Sequence, residues 1–241
     1  MNAPHSALVR IAALALLCGG ASPIAADVLL RDPGIPDGES AVYAVRTGDK
    51  KTTFTERTSV TGGGENYLIL YLSDTETIET SLRKRSMVPL RVRRVVKGPE
   101  QTLETITSVS RLSDSNIDKI PVLAFSDLKY SLRGFPFGVK SSLPVGFMNG
   151  SGQEGGAQFS IQVKYLGIEE KVVAGRRIST HKLEIQTQVG GVLRVLSAMV
   201  PRTYYWYSVT LPHYLVAFEG SSGFPGSPKN YIEITDYSGW H

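Results

Sequence analysis

Apolar and polar residues alternate with a period of two through most of this chain, most densely between residues 158 and 219. Phe159, Ile161, Val163 and Tyr165 alternate with polar neighbours, and Leu183, Ile185, Thr187 and Val189 share one parity further on. Tyr204, Tyr205, Trp206 and Tyr207 follow, then the apolar residues of 211–216. Such alternation predicts half-buried antiparallel strands. Upstream, strands are predicted at 40–47 and 52–61 around the turn Gly48-Asp49-Lys50, and at 66–72, 75–83 and 88–97. A final strand is predicted at 230–236. Residues 101–112 mix a three-residue recurrence (Leu103, Ile106, Val109, Leu112) with many Thr and Ser, and read as a bulged strand. One segment breaks the pattern. Residues 121–133 have Asp118 upstream as a cap, Pro121 in the first turn and Phe125, Leu128 and Leu132 on one face, which predicts an amphipathic helix stopped by Gly134 and Pro136. The expected fold is mainly β: a single antiparallel curved sheet, half-barrel or sandwich, with one amphipathic helix near 121–133 laid on the sheet or across a barrel mouth.

The first residues follow another logic. Arg10 precedes the apolar run 11–18, and Gly19, Gly20 and Pro23 lead to Ala25-Ala26, the order of a bacterial export signal cleaved after Ala26. The run is too short to span a bilayer. Cys18 follows bulky Leu17, which argues against a lipid anchor there. Residues 27–38, with Pro33, Pro36, Gly34 and Gly38, read as a tether, and 39–241 as a single β domain. Cys18 is the one cysteine in the sequence. A chain cleaved after Ala26 therefore has no disulfide, and its core must carry stability alone.

Charge adds one feature. The sequence holds 26 basic and 22 acidic residues, and loss of Arg10 with the leader leaves a net charge of +3. Arg83, Lys84, Arg85, Arg91, Arg93, Arg94 and Lys97 crowd into 83–97. In an envelope compartment this stretch suits an anionic polymer, lipid or protein partner rather than nucleic acid, with Arg91, Arg93 and Arg94 as candidates. Equally, basic side chains on an edge strand block edge-to-edge pairing.

Catalytic motifs are lacking. Gly150-Ser151-Gly152-Gln153-Glu154-Gly155 has dinucleotide-binding spacing but precedes a strand instead of opening a helix, so it is no cofactor site. There is no G-x-S-x-G elbow. His181 and His213 are far apart in sequence, and with no cysteine beside them no metal set can be read. No catalytic residue, metal or cofactor is expected. The aromatic block 204–207 is the richest cluster: Tyr205 and Tyr207 face one way, and Tyr204 and Trp206 the other. This suits core packing or the wall of an apolar cavity.

Leu132-Arg133-Gly134-Phe135-Pro136-Phe137, Tyr165-Leu166-Gly167-Ile168-Glu169, Ala174-Gly175 and Thr180-His181-Lys182-Leu183-Glu184 come in an order that resembles an exported bacterial family catalogued as a domain of unknown function (three-one-zero-eight). Trp206-Tyr207-Ser208, Leu211-Pro212 and Ala217-Phe218-Glu219-Gly220 extend the resemblance. It implies a β-rich protein of the Gram-negative envelope, similar in shape to the half-barrels of lipoprotein carriers, and it brings no catalytic residues. The expected function is a periplasmic, non-enzymatic binding protein holding a lipid or other amphipathic molecule. Tyr205, Tyr207, Phe125, Leu128 and Leu132 are its candidate ligand contacts. The alternatives are an assembly factor acting through 83–97 and a hydrolase.

Overall fold

The structure, a computed structural model, describes residues 30–98, 101–108, 122–124, 128–148, 158–188, 202–221 and 228–240. The expected leader, Cys18, the glycine-rich stretch 149–157 and Phe125 lie outside the described residues.

Six strands, β1 (Ser40–Thr47), β2 (Lys50–Thr61), β3 (Asn66–Leu72), β4 (Glu76–Arg83), β5 (Val88–Lys97) and β6 (Thr102–Ser108), form an antiparallel meander. The chain then crosses to β7 (Val122–Ala124) and α1 (Leu128–Ser131), which runs into a 3-10 turn at Leu132–Gly134. A second run follows: β8 (Ser142–Met148), β9 (Gln158–Val173), β10 (Arg176–Gln188), β11 (Thr203–Ser208), β12 (Leu215–Ser221) and β13 (Lys229–Tyr237). All thirteen strands join one sheet ordered β6-β5-β4-β3-β2-β1-β13-β12-β11-β10-β9-β8-β7. Every ladder is antiparallel except β7 with β8. The order ends at β6 and β7, so the sheet is open, yet it curls until β7 lies against β5. Bulges at Val42/Tyr43, Ser81/Leu82, Lys182/Leu183 and Trp206/Tyr207 supply local bending.

The expected mainly β, curved antiparallel sheet with one helix is what the chain forms, but the helix is shorter than the periodicity of 121–133 predicts. Residues 122–124 pair with β8 as a strand, and the described helical residues are Leu128–Ser131. Val122-Leu123-Ala124 is an apolar run that the open edge of β8 can accept, and that pairing wins over helix periodicity. The helix and the 132–137 segment sit inside the curve. Leu128, Tyr130, Leu132 and Phe135 are buried there against the inward row of the sheet, which includes Tyr43, Phe54, Ile69, Leu183, Tyr207 and Ile234. Among the described residues, this segment takes the place that a second layer holds in a sandwich.

Residues 30–38, read from the sequence as a tether, are docked on this plug. Leu30 and Ile35 are buried, the Arg31 N–H donates to the Gly134 carbonyl at 2.8 Å, and the Ile35 N–H donates to the Tyr67 hydroxyl at 2.9 Å. The approach requires glycine at 134, since a Cβ there would stand 2.3 Å from the Arg31 carbonyl oxygen. Pro and Gly set the turns of this segment, while its two apolar side chains find the core.

Candidate functional site

The concave face and its plug form the candidate site. β1 and β2 bring Tyr43 and Phe54 opposite one another, with rings stacked at 4.9 Å, and Tyr71 of β3 lies 4.6 Å from Phe54. From the far half, β11 adds Tyr205 and Tyr207, stacked at 6.2 Å, and Tyr205 meets Phe218 of β12 edge-on at 4.9 Å. Of the residues expected to contact a ligand, Tyr205, Tyr207, Leu128 and Leu132 are brought to this one interior, and all four are buried. Tyr204 and Trp206 point to the opposite face. There Trp206 donates its indole N–H to Glu169 at 2.5 Å beneath Lys171, whose ammonium lies 3.8 Å from the indole centre.

Polar groups inside the curve pin the plug. Arg133 makes a fork onto Glu39, Nη1 to Oε2 at 2.7 Å and Nη2 to Oε1 at 2.8 Å, and donates to the Pro212 carbonyl from Nε and Nη2 at 3.2 and 3.0 Å. Tyr237 donates to the same Glu39 at 2.7 Å. Burial works against the Arg133 guanidinium, but Glu39 outweighs it and holds the pKa above the ordinary arginine value. Such a pair is tolerated inside a protein because fork geometry satisfies both partners. A second pin joins Lys129 to Glu56, which also accepts from the Tyr130 hydroxyl at 2.7 Å. The Lys129 ammonium sits 4.7 Å over Phe54, 5.0 Å over Tyr71 and 4.7 Å over Tyr130, within cation–π reach of each ring. Tyr207 donates to the Lys129 carbonyl at 2.7 Å. Burial raises the pKa of Tyr43 and Tyr207, so both remain neutral phenols at ordinary pH. Between the pins lies an enclosed polar cavity of about 10 Å³ bordered by Glu39, Glu56, Thr58, Arg133 and Tyr237. That is room for about one water.

Sequence reading missed these pins. Glu56 falls on the inward parity of β2 between Phe54 and Thr58, and an acid in an apolar row is itself a signal for a buried partner. Arg133 stands in a stretch that the sequence offers only as part of a family resemblance. Its partner, Glu39, comes 94 positions earlier, and nothing in the spacing announces it.

His181 and His213, distant in sequence, meet at the rim of the interior with ring centroids 5.5 Å apart. Phe137 stacks on His181 at 4.1 Å, and the Tyr165 hydroxyl lies 3.0 Å from His181 Nδ1. The His213 Nδ1–H donates to the Ser208 carbonyl at 2.9 Å. Burial, then the neighbouring His213, pushes the His181 pKa down to about 4. Burial also lowers that of His213. Both imidazoles are therefore neutral at pH 7. Among the described residues, no group of three His, Cys, Asp or Glu side chains is placed to hold a metal.

The basic candidates lie elsewhere, on β5. Arg93 pairs with Glu79 at 3.0 Å and Glu104 at 2.8 Å, and Arg94 with Glu76 at 2.6 Å. Arg91 is exposed and helps lower the Glu104 pKa, after the larger effect of Arg93. Arg91 and Arg93 share one face and Arg94 takes the other, so the three do not converge.

No family model matches the chain, and no curated protein matches it. Solved structures do. The chain is similar to the hypothetical lipoprotein YmcC from Escherichia coli at 9% identity over 82% of this chain and 84% of that one, with a TM-score of 0.36. It is also similar to the LolA superfamily protein from Nitrosomonas europaea, at 10% identity, 88% and 89% coverage and a TM-score of 0.32. The lipoprotein LppX from Mycobacterium tuberculosis follows at 16% identity, 83% and 86% coverage and a TM-score of 0.28. Likenesses at this level carry no functional argument.

Proposed function

We propose that this protein is an exported, non-enzymatic binding protein of the bacterial envelope that takes a lipid or other amphipathic molecule between its plug and its concave sheet. One observation carries the reading. Among the described residues, the aromatic inner face is covered by the segment 128–137, with Leu30 and Ile35 docked beside it, fastened through the Arg133–Glu39 and Lys129–Glu56 pairs, and not by a second sheet. Displacing that segment would uncover a continuous apolar wall including Phe54, Tyr71, Tyr205 and Tyr207. At the pins the described residues leave space for about one water, so a guest entering there would move the plug, and Leu128 and Leu132 are the side chains it would replace. Export through cleavage after Ala26, a periplasmic location and membership of the domain-of-unknown-function family belong to the same proposal and rest on the sequence. No described helix is long and apolar enough to cross a membrane.

Native mass spectrometry and lipid extraction of the protein purified from its own envelope test the reading. A co-purifying amphiphile in stoichiometric amount supports it. Protein that is always empty, and that takes up no apolar dye even when the pins are removed, refutes it. The anionic-partner alternative at Arg91, Arg93 and Arg94 is less favoured, because Glu76, Glu79 and Glu104 already compensate two of the three.

A further inference from the structure

Beyond β11 the β9–β10 pair continues alone. β11 pairs with β10 from Thr180 to Ile185, and the last bond on that side is from the Val209 N–H to the Ser179 carbonyl at 3.0 Å. β9 and β10 stay in register further out, to Val173 opposite Arg176, so residues 168–179 form a two-stranded tongue at the rim. Ile168 is 60% exposed and Val172 68% exposed, on one parity of the tongue, while Leu211 on the adjoining turn is 69% exposed. Val139 is 67% exposed two residues after Phe137, the ring stacked on His181, which itself pairs with Ile168. A single exposed aliphatic residue is ordinary; four from three separate segments around one rim are a patch.

Its polar complement is basic and aromatic. Lys171, Arg176 and Arg177 fall within seven positions at the tip, with Lys171 4.0 Å from the Glu169 carboxylate. Arg176 lies 4.8 Å over the Trp240 ring, and Arg177 makes an exposed pair with Glu170 at 3.1 Å. Between the tongue and the 209–214 turn runs an open groove of about 590 Å³, with Arg176, Arg177, Ile178, Tyr214 and Trp240 on its walls. Val172 and Arg177 are paired on one face of the tip, and Arg176 lies on the other over Trp240. Aliphatic, guanidinium and indole groups around one tip are the composition of a surface that sits at a lipid–water interface. A protein partner would need a matching concavity for the protruding tips, whereas a bilayer needs none.

We infer that the tongue and the 209–214 turn dock on an anionic bilayer, with Val172, Ile168 and Leu211 entering the acyl boundary and Arg176 and Arg177 meeting lipid phosphates. The inference is independent of what occupies the concave face.

Sedimentation of the purified protein with phosphatidylcholine vesicles, with and without phosphatidylglycerol, tests it, as does tryptophan emission, since Trp206 is buried and Trp240 is the reporter. Binding is expected only where phosphatidylglycerol is present and should weaken as salt is raised. Arg176→Gln with Arg177→Gln should cut the vesicle affinity about tenfold. Val172→Ser with Leu211→Ser should also reduce it, at an unchanged melting temperature. Arg91→Gln with Arg94→Gln should leave it intact. The inference is overturned by equal binding to both vesicles or by no binding. It is also overturned by equal loss in the Arg91/Arg94 variant, or by displacement with inorganic phosphate beyond the effect of chloride at matched ionic strength. Vesicle-free self-association abolished by Val172→Ser with Leu211→Ser would mark the patch as a protein contact and overturn it too.

Discussion

Removing the Glu39 carboxylate should be one of the costliest single changes available to this fold. Glu39 is 7% exposed and Arg133 6% exposed, and Glu39→Gln leaves a buried guanidinium without its counter-charge. Breaking one partner of such a pair costs about 3–5 kcal/mol. The Tyr237 hydroxyl keeps an acceptor in the amide oxygen, and Arg133 keeps the Pro212 carbonyl, which favours the lower half of that range. A loss of about 3 kcal/mol at this chain length corresponds to a melting temperature lower by roughly 6–12 °C. Urea unfolding followed by circular dichroism measures it. Adding Arg133→Met to Glu39→Gln should restore most of the loss, because the stranded charge goes and a methionine stem refills the space. The double-mutant cycle should therefore show a coupling of at least about 2 kcal/mol. If Glu39→Gln costs under about 1 kcal/mol, or the double variant is the sum of its parts, the pair does not fasten the plug. The same double variant, folded but unpinned, should bind more bis-ANS than the wild type if the plug is the gate to the concave face.

Other outcomes follow from single contacts. Gly134→Ala puts a Cβ 2.3 Å from the Arg31 carbonyl and 2.7 Å from Met87 Cγ, and should cost about 3 kcal/mol in urea unfolding as residues 30–31 lift away. Tyr207→Phe removes the 2.7 Å bond to the Lys129 carbonyl and should cost about 1 kcal/mol, with the aromatic stack retained. His181, held neutral at a pKa of about 4, binds fewer protons folded than unfolded between that value and the ordinary 6.5. Stability should therefore fall as pH drops through this window, and His181→Phe should flatten the profile.

Strand positions were legible because inward residues repeat every second position: Tyr43 and Val45, Phe54, Tyr67 and Ile69, Leu183 and Ile185 all fall where alternation puts them. The helix near 121–133 was half legible. Its apolar spacing says nothing of the open β8 edge that draws Val122–Ala124 into the sheet. The burial of Leu30 and Ile35 was hidden under Pro and Gly, which mark turns and are silent about docking. In the candidate site, the aromatics could be read from parity. The pins could not, since Glu39 and Tyr237 are 198 positions apart and meet only after the sheet has formed. The neutralising carboxylates beside Arg93 and Arg94 likewise come from neighbouring strands, where local charge counting cannot see them.

The sheet order also places β1 against β13, so the earliest and latest strands are neighbours at its centre. Each half pairs strands that follow one another in sequence, but the seam between them joins Ser40–Thr47 to Lys229–Tyr237 and closes a loop of nearly the whole chain. Refolding should accordingly show two fast local phases and one slow joining step. A polypeptide cut in the crossover between β6 and β7 should reassemble from its two pieces, because the central ladder would then form between separate molecules with the same partners.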